Sequence, residues 1–570
     1  MTEQTRPDED KDEEQLSVLG TQPVPSPMSF TAMKVALSRK LRMVWSLTPS
    51  SKQQPMPRGW FTRHELARLH VAGLTSPESL DDQTWRDLDF DTYIDQAAGD
   101  CSVFGRQWLC ARLRGSDLTV GADLVQVLQL RALVDDANLA RLWIEATFVM
   151  RLADVEIADT LFAPASVAMP HWVSMLWLVP VGFGLALALI GAGFHGLGAL
   201  LILSALGTSA AVQIHLYGRL AAWQKQKRAI GQLLSCAMRM PDMASTLRRV
   251  RSTTPAAEDL SDSPLLPDLR PLWLAFGPTW LERLAGLAEY ADLILLSQYR
   301  RMAADMRHLD QHRQAMREVY LVMSQREANA WLASHLRDSE CFCWNQARNS
   351  FVGARVNGMR NPLLDKSTPI DLAIGDRGIF LTGKNGSGKS TLLRSLGMNA
   401  VLARALGFCM AGDASIPYAL VQTSIRIEDS LALGRSLYVA ELLRASDMLD
   451  KASRAKACLI IFDEIFRGTN HMESVSAAGA VIQRLAPHAT VVVSSHHVDL
   501  APMVERSTRP LHLVETPSAL MLLPGVLAET NGIDLLLTHG FDAALHATAL
   551  QLHQQLAQRA LGTLGQKPPA

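Results

Sequence analysis

GKNGSGKST, residues 383–391, is the stretch on which the fold turns. It follows the apolar run GIFL (378–381) and precedes STLLRSLGMNAVLARAL (390–406), whose apolar spacing is helical. Strand, glycine-rich loop and helix in that order fit G-x-x-x-x-G-K-[ST] in the context the pattern requires. Gly383, Gly386 and Gly388 let the backbone curl so that amide N–H groups converge on an anion, and the helix N-terminus adds its positive dipole. Lys384, Asn385, Ser387 and Thr391 complete the loop. Lys389 supplies a point charge for β- and γ-phosphates, and the Ser390 hydroxyl is a magnesium ligand. A nucleoside triphosphate and Mg²⁺ are therefore the expected ligands.

Reading outward, LIIFDE (459–464) is an apolar strand that delivers two carboxylates to its C-terminal end, where ligands sit in open α/β sheets. Asp463 is expected to hold Mg²⁺ and Glu464 to polarise the attacking water. TVVVSSHH (490–497) brings His496 to another strand end, as a phosphate-sensing candidate. Strands are predicted at 379–382, 419–423, 459–462 and 490–494, alternating with helices, which argues for a parallel sheet covered on both faces. Asp429–Leu442 (DSLALGRSLYVAEL) opens a helix with small polar residues and is a weaker anion-site candidate.

The order and wording of these segments resemble the MutS family, a branch of the ABC-type P-loop ATPases. TGKNGSGKST (382–391) resembles TGPNMGGKST, departing at Lys384, Gly386 and Ser387. GRSLYVAEL (434–442) resembles GRSTFMVEM, DEIFRGTN (463–470) resembles DEIGRGTS, and SSHHVDL (494–500) resembles THYHEL. NGMRNPLL (357–364) resembles the segment that opens that domain. The resemblance implies an ATPase acting as a homodimer with two composite sites. Ser436 would then be the signature serine, offered to the partner's γ-phosphate in trans, and Glu441 its following glutamate. It also implies DNA as a partner. Upstream, DCSVFGRQWLCARLR (100–114) resembles the start of the family's helical core, and YLVMSQREANAWLAS (320–334) the helix returning from the lever. No mismatch-reading domain or Phe-x-Glu wedge is expected before the core.

Composition excludes several classes. The 570 residues are 48% hydrophobic and 19% charged, with 55 Lys and Arg against 56 Asp and Glu, so the chain is no globally basic nucleic-acid coat. Seven cysteines are too few for a disulfide scaffold, and Cys341 and Cys343 stand as an isolated C-x-C. A mean hydropathy of +0.08 points to locally concentrated apolar sequence. That concentration lies between Asp159 and Arg219, where no Asp, Glu, Lys or Arg occurs. Two apolar runs, 172–190 and 199–217, flank GAGFHGLG (191–198). Each spans roughly 28 Å as a helix, close to a bilayer's hydrocarbon thickness. Pro180 would kink the first, and Trp172, Trp177, Tyr217 and Trp223 flank the pair as interfacial aromatics do. Arg219, Lys225, Lys227 and Arg228 follow the second run, which places both large flanks in the cytoplasm, on the inner membrane.

The expected architecture is an α/β P-loop ATPase domain of ABC type, C-terminal to an all-α core- and lever-like region that a transmembrane helical hairpin interrupts. Its parts are a tail at 1–58, acidic and then proline-rich, helical core at 59–165, and the hairpin at 171–218. Further helices follow at 219–350, the ATPase domain at 355–545, and a C-terminal helix and tail at 546–570. The arginines from Arg300 to Arg317 are expected on a solvated helix face. The expected function is a membrane-anchored MutS-like ATPase that couples dimer closure to movement of the helices. The alternatives are a nucleotide-gated membrane scaffold or a transport-associated ABC-type ATPase, neither binding DNA.

Overall fold

The structure, a computed structural model, describes residues 54–73, 79–115, 123–163, 171–238, 272, 275–276, 296–346, 353–426, 436–516, 520–527 and 531–564. Most of the expected tail and most of the segment before Ser436 lie outside the described residues. The chain divides into two compact units, one holding 171–221 and 296–302, the other holding the remaining described residues.

Helices α1 (Arg63–Ala72), α2 (Asp82–Asp87), α3 (Phe90–Ala98), α4 (Val103–Arg114), α5 (Asp123–Asp135), α6 (Ala137–Ala146) and α7 (Ala158–Phe162) come first. The apolar stretch follows as α8 (Leu178–Gly191) and α9 (His195–Met238). A 3-10 turn, His171–Trp177, precedes α8, so the first apolar run is not one continuous α-helix. Pro180 falls in the first turn of α8, where a missing N–H removes no intrahelical bond, rather than inside a continuous helix over 172–190. The second run lies within a longer helix: α9 continues past it to Met238. Within this unit Leu185, Leu187, Leu197, Leu200 and Leu203 are exposed, an apolar surface that no described part of the unit covers.

Next come α10 (Ser297–Gln311) and α11 (Arg313–Asp338). In the second unit α11 packs along α4, with Tyr320 edge-on to Phe104 and to Phe162, each at 5.6 Å. α4 is buried from Val103 to Leu113, including Arg106, Gln107 and Arg112, so this helix is enclosed rather than half-exposed. α11 and α1 pack against it, and Arg112 Nε donates to the Ala405 carbonyl at 2.7 Å. Arg313 and Arg317 are not on a solvated face. They donate to the carbonyls of Ala163 (3.1 Å) and Leu161 (2.7 Å), which holds the C-terminal end of α7.

Glu327 of α11 is fully buried and accepts from the Ser102 N–H at 2.9 Å and from the Ser102 hydroxyl, at the N-terminus of α4. Burial pushes its carboxyl up to about 7, against the pull of the Ser102 hydrogen bonds and the Arg151 charge. The folded value lies above the unfolded one, so this group's stabilisation is complete below about pH 4.5 and is lost as pH rises through about 7. Denaturation of the wild type should show a loss of roughly 2–3 kcal/mol between pH 5 and pH 8.5 from this group alone. Glu327→Gln should flatten that slope; an unchanged slope would show that the carboxyl is already ionised in the fold.

The C-terminal part holds β1 (Cys343–Trp344), β2 (Ala354–Met359), β3 (Ile370–Ile374), β4 (Gly378–Thr382), α12 (Lys389–Leu406), β5 (Phe408–Cys409), β6 (Asp413–Ser415), β7 (Leu420–Ser424), α13 (Leu437–Arg454), β8 (Cys458–Asp463), α14 (His471–Leu485), β9 (Thr490–Ser494), β10 (Thr508–Glu515) and β11 (Leu520–Pro524). Two further helices, α15 (Asp534–Thr538) and α16 (Ala543–Leu564), end the described chain. The main sheet has the order β11-β10-β4-β9-β8-β7. Its pairs are parallel except β10–β11, an antiparallel edge. β4 is buried throughout and β8 nearly so, as strands covered on both faces must be. Gly378 opens β4 because a Cβ there would lie 1.9 Å from the Val491 carbonyl oxygen. Phe380, Ile460, Phe462 and Val493 join Met448 of α13 and Ile482 of α14 in one core.

Candidate active site

Parallel pairing brings the C-terminal ends of three strands into line: Leu381 pairs with Ser494, and Ser494 with Asp463. Everything the sequence marks as phosphate chemistry, apart from Ser436, departs from these ends. After β4 the loop 383–388 turns with Gly386 at φ 76° and Gly388 at φ 91°, angles that favour glycine. α12 then starts at Lys389. Lys384, Asn385, Gly386 and Thr391 are exposed, while Ser387 and Ser390 are half-buried. Lys389 is buried, and its Nζ donates to the carbonyls of Gly383 and Lys384, both at 3.0 Å. Burial lowers the ammonium's pKa, and the nearby charges of Glu464 and Asp463 oppose that shift.

Asp463 ends β8 and accepts a hydrogen bond from the Ser494 hydroxyl. Glu464 follows in the left-handed region at φ 55°, and its N–H donates to the Ser494 carbonyl at 3.1 Å. A non-glycine residue held there costs on the order of 1–3 kcal/mol and marks a place where the surroundings dictate the backbone. The consequence is a carboxylate within reach of His496, with Nε2 to Oε1 at 2.9 Å. A carboxylate only accepts, so this imidazole nitrogen carries the proton. The His496 hydrogen bond, with the charges of His496, Arg467 and Lys389, holds the Glu464 carboxyl below its usual range despite burial. Next to this pair, His471 Nδ1 meets His497 Nδ1 at 2.9 Å and His471 Nε2 meets Asp499 at 3.1 Å.

Phe466 stands where the resembling motif has glycine. It also adopts a left-handed backbone, φ 60°, yet is fully buried, with its ring 5.9 Å from that of Tyr438 on α13. Glu441 of α13 accepts from the N–H groups of Arg467 (3.3 Å) and Gly468 (3.4 Å). Ser436 is exposed at the N-cap of α13: its carbonyl accepts from the Ala440 N–H at 3.1 Å, and its hydroxyl makes no capping bond to the helix. The structure thus brings together the loop, Asp463, Glu464 and His496. Ser436 stands apart, at a helix end open to another molecule.

Sequence reasoning missed Asn531. Its Oδ1 accepts from the Asn385 N–H at 2.8 Å, and its Nδ2 donates to the Asn385 carbonyl at 3.2 Å, a two-point grip on the phosphate loop. The only signal was an Asn-Gly pair far along the chain, which marks any turn.

The donor set suits a nucleotide with magnesium. The Ser387 hydroxyl is a buried polar atom without a partner among the described residues, in the loop whose amides and lysine would face phosphate. Ser390 and Asp463 offer the oxygen ligands that a hard dication takes.

Residues 379–520 match MutS domain V, a stretch that contains the loop, Ser436, Asp463, Glu464 and His496. Over this domain the chain is similar to the MutS family. It is similar to the DNA mismatch repair protein MutS of Petrotoga mobilis, at 28% identity across 38% of this chain and 29% of the relative. The MutS of Thermus aquaticus is 28% identical across 37% of this chain and 27% of the relative. That of Treponema pallidum is 29% identical across 38% and 26%. The chain thus covers less than a third of the length of these curated relatives. The MutS-family likeness includes the helix that presents Ser436 and stops well short of the apolar helices.

Proposed function

We propose that this chain is a membrane-anchored, MutS-like ATPase that hydrolyses ATP to ADP and phosphate in a homodimer. One observation carries the reading: loop 383–391, Asp463, Glu464 and the Glu464–His496 pair, 2.9 Å apart, meet at the aligned ends of β4, β8 and β9.

The roles follow from chemistry. The loop amides and the Lys389 ammonium bind and orient the β- and γ-phosphates. Mg²⁺, held by Ser390 and Asp463, would neutralise charge on the phosphate oxygens. Glu464, ionised at neutral pH, accepts a hydrogen bond from the attacking water and aligns it with the γ-phosphorus. His496 fixes the carboxylate by donating from Nε2 to Glu464 Oε1. Ser436 of the partner subunit, at the N-terminus of its own α13, would close the site from across the dimer. ATP then binds the closed dimer better than the open one, and that difference in affinity is what can move attached helices.

The curated relatives are DNA mismatch repair proteins, which makes DNA the first partner to test. The charge-free stretch, its exposed leucines, and α9, long and apolar enough to cross a bilayer, support a membrane anchor. Arg219, Lys225, Lys227 and Arg228 support a cytoplasmic ATPase domain. The test is hydrolysis by detergent-solubilised full chain, with Mg²⁺, alone and with perfect, mismatched and branched duplexes over a salt series. Turnover stimulated by DNA, with binding that falls steeply with salt, is the expected outcome. Turnover indifferent to every DNA would favour a nucleotide-gated scaffold.

A further inference from the structure

A short helix far upstream is bolted to the helix that presents Ser436. α2 and its N-cap Asp81 lie more than three hundred positions before β7 and α13, yet the hydrogen bonds between them are dense. Asp87 is fully buried. Its Oδ2 accepts from the Thr423 hydroxyl at 2.7 Å and the Ile425 N–H at 2.9 Å, and its Oδ1 from the Arg426 N–H at 3.0 Å. Gln83 Nε2 donates to the Arg426 carbonyl at 2.7 Å. The chain leaving β7 is thus gripped through three consecutive peptide units.

Thr84 Oγ1 accepts from the Thr423 N–H at 3.1 Å and from Arg444 Nη2 at 3.0 Å. Asp81 caps α2 through Oδ1, accepting from the Thr84 N–H at 2.8 Å. Its Oδ2 accepts from Arg444 Nη1 at 2.8 Å and Lys451 Nζ at 3.0 Å, both on α13. Arg444, nearly buried, also donates to the Thr423 carbonyl from Nε (3.0 Å) and Nη2 (2.6 Å), and to Asp447 on its own helix. Burial alone would raise the Asp81 carboxyl, but Arg444, the Thr84 N–H and Lys451 hold it far below the usual carboxylate range.

We propose that Asp81 and Asp87 are positioning residues that set the orientation of α13, and hence where Ser436 is delivered to the partner's nucleotide. This rests on the ATPase reading above, with Ser436 acting in trans. The lever is long. Ser436 lies eight positions before Arg444, about 12 Å along a helix at 1.5 Å per residue. A tilt of ~5° about the Arg444 anchor therefore moves the serine by ~1 Å, and a misplacement of that size can cost up to ~100-fold in rate. Two grips are needed because two chain segments converge on Ser436: Asp87 fixes the chain that leads toward it, and Asp81 fixes the helix that leads away. Helical residues upstream thereby acquire a direct hold on the signature helix without touching nucleotide.

The experiment is a double-mutant cycle on detergent-solubilised full chain. Mg-ATP affinity, kcat and melting temperature are measured for wild type, Asp81→Asn, Asp87→Asn, Ser436→Ala and the pairs. Each Asp→Asn change should lower kcat by about tenfold while leaving Mg-ATP affinity within about twofold, because the phosphate loop is untouched. In the Ser436→Ala background the same changes should lower kcat no further, since the group they position is gone. A merely structural role would lower the melting temperature and leave kcat per folded molecule unchanged. Equal kcat losses in both backgrounds would also overturn the proposal. Should Asp87→Asn fail to fold, Lys451→Met, which removes the more exposed partner of Asp81, carries the same cycle. A wild type with no turnover overturns the ATPase reading itself; an active wild type whose kcat ignores these substitutions overturns this inference alone.

Discussion

Glu464→Gln is expected to keep Mg-ATP binding and to lower turnover by about 100- to 10,000-fold, the usual range for removing a positioned general base. The amide is nearly the same size, so the left-handed backbone at this position and the Glu464 N–H bond to the Ser494 carbonyl should survive. What changes is the side chain's chemistry. The carboxylate accepts at both oxygens, whereas the amide accepts at one and donates at the other. If the amide oxygen stays on His496, an N–H faces the site where the attacking water must be held. If the amide flips, the His496 bond breaks. Either arrangement removes the acceptor that aligns the water, while the charge on Lys389 and the loop amides remain. Single-turnover hydrolysis beside equilibrium binding reads the two effects separately. A variant within about threefold of wild-type turnover would assign water activation to another group.

The second large effect concerns the apolar helices. The full chain is expected to sediment with membranes and to resist alkaline extraction, and deletion of 172–217 should leave it in the supernatant with Mg-ATP binding unchanged. Two exposed leucines give a finer version. Leu200→Asp with Leu203→Asp adds two charges to the apolar part of α9. Each costs about 2.5–3.5 kcal/mol at the centre of a membrane helix, enough together to shift insertion by at least 1,000-fold. Extraction of full-length wild type by alkali, or a deletion variant that still sediments with membranes, would remove the anchor from the account.

Much of the sheet was legible because its signals are local. The apolar runs predicted at 379–382, 419–423, 459–462 and 490–494 became β4, β7, β8 and β9 with bounds moved by a residue or so. The loop between β4 and α12 was legible because glycine spacing and a following helix are fixed by the covalent chain. Residues whose roles depend on distant partners were not legible. Glu327 looks like any helical glutamate until Ser102 is placed against it, and Asp81 and Asp87 look like surface acids until β7 and α13 arrive. Arg313 and Arg317 sit among acidic neighbours, which suggests water, yet besides the Arg313–Asp310 pair they bond the carbonyls of Ala163 and Leu161 at the end of α7. The left-handed Phe466 is hidden for a different reason: nothing in a phenylalanine announces an angle that glycine prefers, and burial against Tyr438 supplies the energy that holds it. Pro180 read as a kink because its place within the helix depended on where α8 begins, and helix starts are poorly marked in uniformly apolar sequence.

Direct titration of detergent-solubilised chain with a non-hydrolysable ATP analogue and Mg²⁺, for wild type and Lys389→Met, tests the central claim with the fewest assumptions. The account predicts saturable micromolar binding by the wild type that depends on Mg²⁺, and at least 100-fold weaker binding by the variant, from the loss of a charge held against phosphate. Equal affinity in both proteins, or none in either, would contradict it.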